Sequence, residues 1–114
     1  MGASVSNSSA TATSMKDFVN TEVSANTVVI FSKSYCPYCK ATKQLFQKPE
    51  FKGVSVAVHE LDRRADGDSI QATLLDLTGQ RTVPSVWVKG TFLGGNSDTQ
   101  SAYGSGQLKT MLGL

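Results

Sequence analysis

The sequence predicts an α/β domain built as a three-layer α/β/α sandwich around a mixed four-stranded sheet. An almost unbroken β-branched run, Thr27-Val28-Val29-Ile30-Phe31-Ser32, is the pattern of a strand covered on both faces and paired in parallel. A helical stretch and a second strand-like run follow it, so the three make a β-α-β unit whose crossover should be right-handed. Two further short strands about Lys89-Gly90 read as a hairpin, which adds antiparallel pairing to the sheet. With 114 residues, the chain has room for one core of ordinary size.

The elements follow in order. Residues 1–14 (MGASVSNSSATATS) hold no charge and no aromatic, and ten of them are Ser, Thr or Ala, so they are expected to be a disordered leader ahead of a folded unit at 15–114. Within that leader, Met1-Gly2-Ala3-Ser4-Val5-Ser6 matches the pattern for myristoylation at Gly2; a transit peptide would need arginines that the segment lacks. Ser14 and Asp17 read as a capping pair for a helix in which Met15, Phe18, Val19 and Val23 recur to about residue 25. After the 27–32 strand, a helix is expected from Cys36 towards Lys48, with Thr42, Leu45 and Phe46 on one side and Pro49 as its stop.

Residues 54–61 (VSVAVHEL) alternate as a second strand. Asp66 and Asp68 open the next helix, where Ile70, Leu74 and Leu77 are expected to share a face and Gly79 to cap the end. The hairpin strands are 85–89 and 91–93. The tail after Gly94-Gly95 should be helical in two pieces, broken at Gly104 and Gly106, with Leu108, Met111 and Leu112 apolar.

Composition excludes several functions. Eleven Lys and Arg against nine Asp and Glu leave a net charge of +2, too slight for a nucleic-acid binder that relies on many phosphate contacts. No apolar run approaches the roughly 18 residues of a membrane span, so membrane contact would require acylation of Gly2. Two cysteines are too few for a secreted disulfide scaffold, and no secretory signal is visible, which favours a reducing compartment, the cytoplasm. The charge is also unevenly spread. Residues 33–52 carry five lysines against Glu50, a balance of +4, and residues 60–76 carry five acids against Arg63 and Arg64, a balance of −3.

The cysteine pair Cys36-Pro37-Tyr38-Cys39 stands between a central strand and the next helix. Pro37 suits the first helical position, which makes Cys36 the expected N-cap, with free backbone N–H groups and the positive end of the helix dipole aimed at its sulfur. Both favour thiolate, the nucleophilic form. Cys39 lies almost one turn on, within disulfide reach of Cys36, so the first cysteine is expected to attack and the second to resolve. A structural disulfide closing so short a loop would constrain the unfolded chain little. Structural zinc would need four ligands, and beyond the pair only His59 is on offer, on a strand; no metal is expected.

With the pair placed on a strand-to-helix turn, the chain from residue 15 to its end resembles the dithiol glutaredoxins, a branch of the thioredoxin-like fold. The residues that carry the likeness are Lys33-Ser34-Tyr35-Cys36-Pro37-Tyr38-Cys39, then Leu77-Thr78-Gly79-Gln80-Arg81-Thr82-Val83-Pro84, then Gly94-Gly95-Asn96-Ser97-Asp98. Thioredoxin itself would show Trp-Cys-Gly-Pro-Cys. The resemblance implies a monomeric glutathione-disulfide oxidoreductase acting on glutathionylated or disulfide-containing proteins. It implies that Lys33 and Gln71, helped by Arg81, hold the glycine carboxylate of glutathione. Thr82 and Val83, before a cis Pro84, would pair with its cysteinyl part, and Ser97 and Asp98 would bind its γ-glutamyl end. Gly94 and Gly95 would let the chain approach closely, and Tyr38 would line the cleft. Relatives often carry a further cysteine after the paired glycines, where this chain has Asn96. The alternative is a dimer holding a [2Fe–2S] cluster, against which Pro37 counts.

Overall fold

The computed structural model describes the backbone from Asn7 and the side chains from Met15 to Leu114. Gly2 and the rest of 1–6 therefore lie outside the described residues. The helices are α1 (Asn7–Ala25), α2 (Pro37–Phe46), α3 (Gly67–Thr78), α4 (Asn96–Ser105) and α5 (Gln107–Leu112). The strands are β1 (Val28–Ser32), β2 (Val56–Glu60), β3 (Ser85–Val88) and β4 (Thr91–Gly94). They form one sheet in the order β2-β1-β3-β4, with β1 parallel to β2 and antiparallel to β3, and β3 antiparallel to β4.

All five residues of β1 are buried, as its β-branched run requires, and they divide the core between them. Val28 and Ile30 face a cluster with Leu45 and Phe46 of α2, Ala102 of α4 and Leu108 of α5. Val29 and Phe31 face the opposite cluster, with Val19 and Val23 of α1 and Ile70 and Leu74 of α3. Helices thus cover both faces of the sheet, and each such fully buried side chain contributes about 1.5–3 kcal/mol. The expected hairpin is present: Lys89 (φ 49°) and Gly90 (φ 81°) both take positive φ, the type I′ geometry that matches strand twist. His59 is a sheet residue, stacked on Phe31 and hydrogen-bonded to Glu22 at 2.8 Å.

Three expectations need correction. The first helix begins at Asn7, so Ser14 lies inside it and not at its start; once a packed helix exists, adding residues such as these Ala, Ser and Thr costs little. Leu77 is 37% exposed, because the buried stripe of α3 runs through Ile70, Gln71, Thr73 and Leu74. The tail breaks at Gly106 alone, where φ is +84°, while Gly104 continues α4. Asp66 and Asp68 do open α3, as its N-cap and in its first turn, and the Asp66 carboxylate pairs with Arg64 at 2.8 Å.

Gly67 fixes how α3 starts. A Cβ there would stand 1.9 Å from the Leu61 carbonyl oxygen, a backbone atom that cannot move independently of the turn following β2. Gly67→Ala should therefore lower the unfolding free energy by about 3 kcal/mol. Urea denaturation measures this, and an unchanged midpoint would refute the close packing of α3 on that turn.

Candidate functional site

The site grows from the end of β1. The strand stops at Ser32, and Lys33-Ser34-Tyr35 lead into α2 through a turn closed by the Cys36 N–H donating to the Lys33 carbonyl at 3.1 Å. Asp62, on the turn after β2, holds this loop from outside: its Oδ1 accepts the Ser34 N–H at 2.9 Å and its Oδ2 accepts the Ser34 hydroxyl. The Ser34 bonds keep the Asp62 carboxyl below the usual carboxylate range. Cys36 is the N-cap of α2 with extended backbone (φ −86°, ψ 122°), and Pro37 occupies the first turn.

The two thiols sit in contrasting environments. Cys36 is half-buried and Cys39 fully buried, and both are free. Burial acts to raise the Cys36 thiol, but hydrogen bonds from the Cys39 and Tyr38 N–H groups and from the Cys39 thiol, with the charge of Lys43, outweigh it and hold Cys36 below the ordinary thiol range. Burial pushes the Cys39 thiol up, and the Lys33 N–H, 3.4 Å from its sulfur, only partly offsets this. One turn of helix thus presents outward the sulfur more favoured as thiolate and keeps behind it the sulfur more favoured as thiol. The lysine charge acting on Cys36 comes from Lys43, on the same helix.

An open cleft of about 500 Å³ runs from this turn to the start of α4. It is lined by Tyr38, Thr82, Val83, Pro84, Gly95, Ser97 and Asp98, all expected from the sequence, and by Gln80 and Asn96, which were not. The Val83–Pro84 peptide bond is cis. The first ladder bond of α4 is Thr99 N–H to the Gly95 carbonyl, so the N–H groups of Asn96, Ser97 and Asp98 precede the helical ladder at a positive helix end. Lys33, Gln71 and Arg81 lie outside the lining. Gln71 is buried on α3, and its side-chain amide donates to the Arg81 carbonyl at 2.8 Å, so it braces the loop before the cis proline.

Asn96 has a role that its sequence position did not reveal. Its Oδ1 accepts from the Thr42 hydroxyl of α2 at 2.8 Å and from Gln100 at 3.2 Å, tying the cysteine helix to the far wall of the cleft. A contact between residues 42 and 96 leaves no local pattern to read.

Comparisons with known proteins agree with this geometry. The family model described as glutaredoxin matches residues 28–93. Glutaredoxin-C4 of Arabidopsis thaliana is 50% identical over 107 residues, covering 94% of this chain and 77% of its own. Glutaredoxin-C8 of Oryza sativa subsp. japonica is 50% identical over 101 residues, covering 89% of this chain and 74% of its own. The crystal structure of a buckwheat glutaredoxin–glutathione complex superposes with a TM-score of 0.80 at 40% identity, covering 89% of each chain. With a cysteine at a helix cap, a buried second thiol one turn behind it and a cleft that begins beside them, the chain belongs to the glutaredoxin family of thiol–disulfide oxidoreductases.

Proposed function

We propose that the chain is a dithiol glutaredoxin in which Cys36 is the nucleophile, Cys39 resolves, and the cleft binds glutathione. The observation that carries this reading is the contrast between the two sulfurs, one favoured as thiolate at a helix N-terminus and one buried as thiol. On a glutathionylated protein, the Cys36 thiolate attacks the glutathione sulfur. The Cys36–glutathione disulfide forms as the protein–glutathione bond breaks, and the protein leaves as thiolate and takes a proton. A free glutathione thiolate then attacks the bound glutathione sulfur, releasing glutathione disulfide and the Cys36 thiolate. On a protein disulfide, Cys36 forms a mixed disulfide with one substrate sulfur. Cys39, deprotonated, attacks the Cys36 sulfur, so that the Cys36–Cys39 disulfide forms as the mixed disulfide breaks and the substrate departs with both sulfurs reduced; two glutathiones then reduce the Cys36–Cys39 disulfide and leave as glutathione disulfide.

The cleft chemistry supports the glutathione assignment. The unladdered N–H groups of Asn96, Ser97 and Asp98 suit the carboxylate of the γ-glutamyl end, and the Asp98 side chain suits its ammonium group. Val83, next to Pro84, is the residue whose backbone pairs with the cysteinyl part as a short strand. Arg81 and Lys33, exposed and half-buried and outside the lining itself, serve the glycine carboxylate, while Gln71 contributes by bracing the Arg81 carbonyl. Two cysteines with opposed roles also fit a reducing compartment such as the cytoplasm.

The test is glutathione-dependent reduction of a glutathionylated peptide, comparing wild type with Asp98→Ala. Losing one charge-assisted contact should raise KM for glutathione about tenfold while kcat changes little. An unchanged KM would remove Asp98 from the glutathione site.

A further inference from the structure

Glu60 holds a lysine of the cysteine helix, Lys43. Lys43 lies seven residues beyond Cys36, two turns along the same side of α2, and helical side chains lean towards the helix N-terminus, where the thiol is. Its ammonium is held at 2.6 Å by Glu60 Oε2. Glu60 ends β2 in register with Ser32, which ends β1, so its carboxylate stands at the edge of the sheet from which the cysteine loop departs. Its other oxygen, Oε1, is buried without a hydrogen-bond partner among the described residues. An unpaired buried carboxylate oxygen costs free energy, and the groove beside Lys43 is otherwise formed largely by Ile30, Phe46, Val56 and Val58. Packing alone would be better served by an apolar side chain at 60.

We propose that Glu60 is a positioning residue for the thiol chemistry: it clamps Lys43 and so limits the positive charge felt at Cys36. The proposal rests on the reading of Cys36 as nucleophile. A thiolate loses intrinsic nucleophilicity as its pKa falls, so a sulfur under too much positive charge is fully ionised yet sluggish. Lys43 is one of the groups favouring the Cys36 thiolate, and Glu60 restrains it. The other charged or titratable groups about the site are Tyr38, Cys39 and Lys40 on α2, Lys33 and Tyr35 in the β1–α2 connection, Asp62 bound to Ser34, and Asp98 across the cleft.

The test is the pH dependence of iodoacetamide alkylation in the full chain, with the modified cysteine identified by mass spectrometry. Glu60→Gln should move the midpoint for Cys36 a few tenths of a pH unit lower and reduce the plateau rate above it. Lys43→Gln should move the midpoint higher and raise the plateau, and the double variant should match Lys43→Gln. A Glu60→Gln midpoint at or above wild type overturns the proposal. So does a double variant that keeps the full downward shift, because Glu60 would then act by its own charge. Should Glu60→Gln fail to fold, Lys43→Gln decides alone: a midpoint unmoved or lowered refutes the link. Labelling of Cys39 ahead of Cys36 would instead strike the assignment of the nucleophile.

Discussion

Cys36→Ser is expected to abolish both reduction of glutathionylated peptides and reduction of protein disulfides, by on the order of a thousandfold or more, whereas Cys39→Ser should spare the first and lose the second. Serine keeps the size of the cysteine side chain but has no thiolate to offer. The N–H groups of Tyr38 and Cys39 that hold the Cys36 thiol low cannot ionise a hydroxyl at neutral pH. The asymmetry follows from burial. Cys39 has 0% exposure, so no external disulfide reaches it, and its pKa is raised chiefly by that burial. It enters the reaction only after a mixed disulfide has formed on Cys36.

The pH dependence has a definite sign. Because the Cys36 pKa is lowered, the thiolate is present at pH values where an ordinary thiol is still protonated, and the rate falls as pH drops through the lowered value. Coupled assays on wild type and both variants, with the glutathionylated peptide and a disulfide-bonded protein as substrates, measure all of this. Full activity in Cys36→Ser would sink the nucleophile assignment, and undiminished protein-disulfide reduction in Cys39→Ser would sink the resolving role.

Gly94→Ala should combine a loss of stability with a loss of glutathione affinity. Gly94 has φ +135°, a region closed to L side chains, so the alanine backbone is strained by about 1–3 kcal/mol. Its Cβ would also stand 2.2 Å from Asp98 Oδ2 and 2.7 Å from Asp98 Cβ. The oxygen could swing away, but the Cβ is fixed to the first turn of α4, so the helix start must shift. The expected outcome is about 3 kcal/mol less unfolding free energy together with a rise in KM for glutathione about as large as that of Asp98→Ala. Urea unfolding and the steady-state assay separate the two effects. A destabilised variant with unchanged KM would show that the position of Asp98 is irrelevant to binding.

Much of this was legible in the sequence because it depends on neighbours along the chain. The β-branched run of 27–32 could be read as a doubly covered strand, and Cys36-Pro37 as a helix cap, since covering and capping are set by a few adjacent residues. Lys89-Gly90 could be read as a turn for the same reason. The start of α1 at Asn7 escaped, because Ser14 looks like a cap wherever the helix begins. Leu77 escaped because a helix has several apolar stripes and only the neighbouring layer decides which one is buried. The glutathione residues came from resemblance to a family, and the cleft brings together most of them but gives Gln71 a bracing role.

By itself, then, the sequence determined most of the elements and the outward cysteine, which follow from local backbone geometry and the helix end, whereas the raised Cys39 thiol depends on burial that only packing supplies. Only the tertiary structure decided which charges act on the two thiols. It placed Lys43 against Glu60, Asp62 against Ser34 and Asn96 against Thr42, pairs 17, 28 and 54 residues apart. Electrostatic and hydrogen-bond energies depend on distance in space, and the order of residues along a chain does not record that distance until the sheet and its helices have packed.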